Sequence, residues 1–238
     1  MLPMESPDVP PEIQRRCREN GIQLSDAQYG QIALFVRSVL DWNGKINLIS
    51  RRDQENIWFS HILHSLSILF YVDVPGGSRI LDLGTGGGFP GIPLAIARPD
   101  VRMVLIDSIR KKTMAVQEMI ERIGLTGVSV WTGRAEEMSL KPGTAGSFDY
   151  VFTRAVASLE DLARWSRPYL KKRAAADSAA SGKIVPPALV ALKGGDLERE
   201  ISSARMKGRL KEVRVTPMSF PGSTSLPLED KKLVAVYF

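Results

Sequence analysis

The tightest constraint in this chain is the run Ile80–Ile92, ILDLGTGGGFPGI. A short apolar segment ends on a carboxylate, passes through a turn holding five glycines and leads into the apolar stretch LAIA. Such a composition suits a strand that turns at once into a helix while its backbone comes close to a ligand, because glycine takes positive φ and presents no Cβ. Three ligand classes compete for that turn: a nucleoside triphosphate, a dinucleotide, and a cofactor without phosphate. The triphosphate loop needs a lysine after its last glycine, and here Gly91 is followed by Ile92.

The dinucleotide fingerprint is matched by Gly86-x-Gly88-x-x-Gly91, although some match is cheap in so glycine-rich a segment. Read from the first glycine after the strand, Gly84-x-Gly86-x-x-Phe89 places phenylalanine where close helix–strand packing asks for glycine. Asp82, two residues before Gly84, would oppose a pyrophosphate and favour a ligand with a positive end. S-adenosylmethionine has an ammonium, a sulfonium and no phosphate. The order Ile80-Leu81-Asp82-Leu83-Gly84-Thr85-Gly86-Gly87-Gly88 is the pattern of Rossmann-like methyltransferases, which makes S-adenosylmethionine the expected cofactor and Gly84 a contact.

The rest of the chain agrees with that fold. From Gly76 onward, SRILDL, VRMVLID, VSVWTG, FDYVFTRA and PALVALKG each hold a short apolar, β-branched centre. KKTMAVQEMIERIG and LEDLARWSRPYL have helical periodicity between them. Strand–helix alternation specifies a parallel sheet covered on both faces. LKEVRVTPM and KKLVAVYF follow, joined by FPGSTSLPLED, and consecutive strands without a helix between them add an antiparallel edge. The expected fold is α/β: a Rossmann-like class I methyltransferase with a mostly parallel seven-stranded sheet, an antiparallel C-terminal edge and an N-terminal helical extension. Residues 1–75 form that helical segment, packed on the core, and residues 76–238 the methyltransferase domain, one globular unit.

In the helical segment, Ser25-Asp-Ala-Gln28 has the form of a capping box, with Leu24 and Tyr29 placed as its hydrophobic staple. Ile32, Phe35, Val36, Val39 and Leu40 then recur at helical spacing. A second helix is expected from about Asp53, burying Trp58, Ile62, Leu66 and Leu69. Residues 173–187, RAAADSAASGKIVPP, read as a surface loop.

Two later strand ends continue the cofactor argument. Asp107 closes VRMVLID, where an acid accepts both hydroxyls of a ribose. That feature suits either adenosyl cofactor. After VSVWTG comes Gly133-Arg134-Ala135-Glu136-Glu137, whose carboxylate and backbone amide suit the edge of an adenine. The competing reading of the glutamates is a solvated helix start.

Composition narrows the setting. No apolar run reaches transmembrane length, the first residues lack the apolar centre of a signal peptide, and the single cysteine, Cys17, excludes an internal disulfide or a multi-cysteine zinc site. A reducing cytoplasm and no membrane are expected. The formal charge of +6 and pI near 9.5 lean modestly toward an anionic partner. Arg51-Arg52, Arg110-Lys111-Lys112, Lys171-Lys172-Arg173 and Lys231-Lys232 are separated clusters that matter for nucleic acid only where several converge. His61 and His64 lack a third ligand, so no metal is expected and both read as packed or surface polar groups. Trp42 and Trp58 read as core.

The substrate is constrained by elimination. Methylation of exocyclic base amines uses Asn/Asp-Pro-Pro-aromatic after the fourth strand, where this chain has Phe152-Thr153-Arg154-Ala155-Val156. Pyrimidine C5 chemistry needs a cysteine near the site, and Cys17 lies far away in sequence. Ring nitrogens, hydroxyls and small or protein substrates remain. Trp42, Asn43, Asn47, Leu48 and Ser50 (WN-x-x-x-NL-x-S), HIL-x-S from His61, GTGGGFPGIPLAI, LIDS-x-x-K-K, RAEE, TRAVASL and ALKGG occur in this order from residue 42 to 195. Together they resemble the glucose-inhibited division protein B family, ribosomal RNA small subunit methyltransferase G.

The resemblance implies methyl transfer from S-adenosylmethionine to N7 of one guanine in bacterial 16S rRNA, as naked rRNA or in the small ribosomal subunit; a monomer is expected. It also implies cofactor contacts at Gly84, Phe89, Ala135, Glu136 and Arg154. The residues themselves add Asp107. Phe89 could cover the cofactor with an apolar face, and Arg154 could reach its carboxylate or a substrate phosphate. His64 stands where the family has an acid, and the 173–187 insert is longer than usual.

Guanine N7 carries a free lone pair, so alignment rather than proton removal is the expected source of rate. The base is expected to be read at O6 or its Watson–Crick edge, with Arg154 and Lys193 positioning it. A methyltransferase of small molecules or proteins, a dinucleotide oxidoreductase and a non-catalytic RNA-binding module are the rivals.

Overall fold

The computed structural model describes residues 9–154, 157–173, 182–208, 210, 212–220 and 230–238. Ala155, Val156, most of the 173–187 insert and most of the loop before the last strand lie outside the described residues.

The N-terminal segment holds one more helix than the periodicity reveals, α1 (Pro11–Glu19), with Ile13 and Cys17 buried one turn apart. α2 (Asp26–Asn43) starts on the expected capping box: Gln28 N–H donates to Ser25 Oγ at 3.3 Å, and Ser25 N–H donates to Gln28 Oε1 at 2.9 Å. The Gln28 amide donates on to the Ile96 carbonyl at 2.7 Å, which ties this helix start to the core. Ile32, Phe35, Val36 and Val39 are buried along one face, and Leu40 packs against the same cluster. Each fully buried aliphatic or aromatic side chain of this kind contributes about 1.5–3 kcal/mol. Trp42 and Trp58 are partly buried against that core.

The expected second helix is broken. α3 (Arg51–Gln54) is followed by a π-helical stretch Trp58–Leu63, then α4 (His64–Leu66) and α5 (Ile68–Tyr71). Serine hydroxyls compete with the backbone here: Ser65 Oγ donates to the His61 carbonyl at 2.6 Å and Ser67 Oγ to the His64 carbonyl at 2.8 Å. Ile62 and Leu66 are buried as expected, while Trp58 and Leu69 are half-buried.

The remainder alternates as anticipated: β1 (Arg79–Leu83), α6 (Gly91–Ala97), β2 (Arg102–Asp107), α7 (Arg110–Ile123), β3 (Val128–Thr132), α8 (Ala135–Met138), β4 (Tyr150–Arg154), α9 (Leu159–Ser166), β5 (Ala188–Gly194), α10 (Glu198–Gly208), β6 (Glu212–Pro217) and β7 (Lys231–Tyr237). The seven strands lie in the order β3-β2-β1-β4-β5-β7-β6. β1 to β5 are parallel, and β7 runs antiparallel between β5 and β6. The strand period of two sorts the side chains onto two faces. Ile80, Met103, Leu105, Tyr150, Phe152 and Val190 join the N-terminal helices in one cluster. Leu81, Leu83, Val104, Ile106, Val151 and Leu189 form a second with α8 and α9. Strand order reverses between β1 and β4, and the crevice beyond the carboxyl ends of such strands is where open α/β sheets bind ligands.

Candidate active site

At that reversal lies a cleft of about 390 Å³. Gly84, Phe89, Asp107, Ala135, Glu136 and Arg154, the residues singled out from sequence, all line it. The strand ends and the turns after them carry these groups, so the parallel register itself brings together residues far apart in the chain. Leu48, Ser108, Lys112 and Trp165 also line the cleft; the first three fall within motifs read from sequence, but none of the four was assigned to the cofactor.

Asp107 is half-buried, with Oδ2 accepting from Gly86 N–H at 3.0 Å and Oδ1 from Ile109 N–H at 2.9 Å. Each oxygen keeps a lone pair for a hydroxyl. Glu136, in the first turn of α8, is exposed toward the cleft, and Ala135 is buried beside it. Phe89 is 3% exposed, wedged between the Phe35 ring at 5.0 Å and the His61 ring at 4.8 Å. It is therefore a packed apolar wall of the cleft.

Asp82 overturns one step of the sequence reasoning. Its side chain is fully buried and does not line the cleft. Oδ2 accepts from Thr85 Oγ1 at 2.6 Å and from Gly91 N–H at 2.9 Å. The carboxylate thus fastens the two ends of the glycine turn from beneath, and a Cβ at Gly91 would lie only 2.6 Å from Oδ2. Burial pushes its pKa up to about 7 against the pull of those two donors, and Oδ1 has no hydrogen-bond partner among the described residues. The discrimination against pyrophosphate survives by another route. The N–H at the start of α6, which would greet a phosphate in the dinucleotide fold, is already taken by this carboxyl group.

Arg154, at the end of β4, is the junction of two clefts. It lines the first, with its guanidinium 5.1 Å from the Phe89 ring, and also a second of about 660 Å³. Nη1 donates to the Ser60 carbonyl at 3.1 Å and Nη2 to His61 Nδ1 at 2.5 Å, both acceptors belonging to the π-helical stretch. π-Helical turns concentrate at functional sites, and this one aims its groups at the junction. Loss of hydration pushes the guanidinium down to about 10, opposed by the charges of Asp82 and Asp53.

His61 and His64 are both buried, and both are pushed down to about 3, first by burial and next by the charge of Arg154. They are neutral imidazoles. Among the described residues no group of three or more His, Cys, Asp or Glu is placed to hold a metal ion. No helix among them is long and apolar enough to cross a membrane.

Lys193 sits apart from the first cleft. It lines the second, with Nζ donating to the Ala157 carbonyl at 2.6 Å and to Glu200 Oε1 at 2.7 Å. Of the basic clusters, Arg52 and Lys231 line the second cleft and Lys112 the first. Lys171 and Arg173 are instead paired with Asp149 and Glu212, at 2.7 and 3.0 Å.

A family model described as rRNA small subunit methyltransferase G matches residues 28–224. A ribosomal RNA small subunit methyltransferase G of Chlorobium luteolum is 39% identical over 219 residues, 92% of this chain and 82% of that protein. One of Parabacteroides distasonis is 44% identical over 178 residues, 75% of this chain and 72% of that one. Among solved structures, an O-methyltransferase from Bacillus cereus in complex with SAH is similar in fold. Its TM-score is 0.55 at 17% identity, over 95% of this chain and 97% of that one.

Proposed function

We propose, on the premise that this chain belongs to the rRNA small subunit methyltransferase G family, that it transfers a methyl group from S-adenosylmethionine to N7 of one guanine in 16S rRNA. The observation that carries the reading is the pair of clefts meeting at Arg154, one walled by the glycine turn, Asp107 and Glu136, the other rimmed by Arg52, Lys193 and Lys231.

The first cleft suits S-adenosylmethionine. Gly84 to Gly87 bring bare backbone to it, Asp107 keeps lone pairs for ribose hydroxyls, and Glu136 stands where an adenine amino group can donate. When bound, the cofactor supplies a methyl group on a positively charged sulfur. N7 of guanine needs no base to free its lone pair, so the work of the chain is alignment and exclusion of water. Phe89 and Leu48 provide apolar walls for that purpose. Ser60 and His61 take two of the five Arg154 N–H donors, which fixes the guanidinium at the junction and keeps those two from competing for N7 as the usual arginine–guanine contact would. Gly84, Phe89, Asp107, Ala135, Glu136 and Arg154 are the cofactor contacts in this reading, with Arg154 and Lys193 positioning the substrate.

We read residues 1–75 as a helical segment packed on a methyltransferase domain of residues 76–238, and the protein as a cytoplasmic monomer whose partner is 16S rRNA or the small subunit. Incubation with 16S rRNA and labelled S-adenosylmethionine, followed by nucleoside mass spectrometry, should yield 7-methylguanosine at a single mapped position. Label on another atom, or none on the RNA, would defeat the proposal.

A further inference from the structure

The second cleft combines two kinds of charge. Arg52, Arg154, Lys193 and Lys231 line it together with a single carboxylate among the described residues, Asp53. The cations suit an RNA backbone. A carboxylate in their midst would repel phosphate, so its place there calls for a hydrogen-bond donor as partner.

The side chain of Asp53 is 43% exposed, and Oδ2 accepts from Ser50 Oγ at 2.7 Å. Oδ2 also lies 3.7 Å from His61 Nε2. Arginine has only donors, so the contact between Arg154 and His61 Nδ1 places the imidazole proton on Nε2, on the side of Asp53. Arg154, His61 and Asp53 therefore form a row from the junction of the clefts into the second one. Ser50 Oγ holds one carboxylate oxygen by a hydrogen bond, the His61 Nε2–H faces the same oxygen from beyond hydrogen-bond length, and the carboxylate lines the second cleft.

Guanine is the base whose Watson–Crick edge offers two adjacent donors, N1–H and N2–H, to such a carboxylate. Adenine has an acceptor at N1 and no amino group at C2. N7 lies across the purine from these donors, and the cofactor cleft lies beyond Arg154 from Asp53. We infer that Asp53 selects the target guanine by accepting N1–H and N2–H in the second cleft, which turns N7 toward the cofactor. His61 and Arg154 act as positioning residues for that carboxylate. The inference rests on guanine N7 being the atom methylated.

The test uses the full chain and a 16S rRNA fragment assembled with either guanosine or inosine at the mapped position. Inosine keeps O6, N1–H and N7 and lacks the N2 amino group. Wild-type kcat/KM for inosine should be roughly ten- to a hundred-fold below guanosine, the scale of one hydrogen bond to a charged acceptor. In Asp53→Ala, transfer to guanosine should fall at least about ten-fold, and the guanosine-to-inosine ratio should shrink to within about two-fold. Asp53→Leu, close in size and without any acceptor, should show the same collapse of the ratio if the alanine variant does not fold. A purely structural role would lower both substrates together and preserve the ratio.

Equal use of the two bases by the wild type, or an unchanged preference in Asp53→Leu, overturns the inference while leaving the methylation reading intact. No transfer to guanosine by the wild type defeats the methylation reading, and this inference falls with it.

Discussion

Gly91→Ala probes the buried clamp under the glycine turn. The added Cβ would lie 2.6 Å from Asp82 Oδ2 and 3.0 Å from Leu105 Cγ. Oδ2 is held by Thr85 Oγ1 and Gly91 N–H, so it cannot retreat without weakening both bonds. Losing a hydrogen bond to a charged group costs about 1.5–3 kcal/mol, and overpacking adds about 1–3 kcal/mol. The helical preference of alanine over glycine returns about 1 kcal/mol. The net loss is therefore about 1.5–5 kcal/mol, or roughly 3–20 °C in Tm for a chain of this size. Because the clamp joins both ends of the turn, affinity for S-adenosylhomocysteine should also weaken, by at least about ten-fold. Thermal unfolding and calorimetric titration read the two effects. Gly30→Ala, in α2 with nothing within 4 Å of its Cβ, is the control and should hold or raise Tm. A Gly91→Ala protein that melts with the wild type and binds the ligand unchanged would refute the clamp.

Three further outcomes are expected. His64→Asn should lose less stability on acidification. The folded pKa of about 3 lies below the free value of 6.5, so the stability tied to neutral His64 is full above 6.5 and drains away as pH falls toward 3. Between pH 7 and 5 that amounts to about 2 kcal/mol, read as the difference between urea titrations of the two proteins. Asp82, whose folded pKa of about 7 makes acidification favourable to it, is common to both and cancels. Arg154→Lys keeps a charge but loses the forked grip on Ser60 and His61, and should lower kcat/KM by roughly a hundred-fold, with a smaller change in S-adenosylhomocysteine affinity; retained turnover would remove Arg154 from the reaction. With Arg52, Lys112, Arg134 and Lys231 around the clefts, RNA affinity measured by filter binding should fall roughly 50-fold between 50 and 200 mM salt. A flat response would exclude phosphate contacts.

Much of the fold was legible because strand cores such as Ile80–Leu83 and Val151–Phe152 are short and β-branched or aromatic, and because alternation with helices leaves few topologies. The first cleft was legible for the same reason: Asp107 and Glu136 follow strand ends, and a parallel sheet collects those ends. The direction taken by Asp82 was not, since sequence locates a side chain on a strand without revealing which donors lie beneath it. α1 escaped notice because Ile13 and Cys17 give too little apolar periodicity over nine residues. The interruption between α4 and α5 falls at Ser67, whose hydroxyl takes the His64 carbonyl, and no spacing announces that choice. The second cleft, drawing Asp53, Arg154, Lys193 and Lys231 from distant segments, leaves no local signature.

The placement of β7 between β5 and β6 has a bearing on how the molecule comes into being. During synthesis β6 is made first, yet it has no neighbour in the sheet until the later strand slots in ahead of it. Lys231 opens that later strand and also helps wall the second cleft. A nascent chain can thus shape its cofactor pocket early, while the cavity proposed to receive the base stays unfinished until the final hairpin closes.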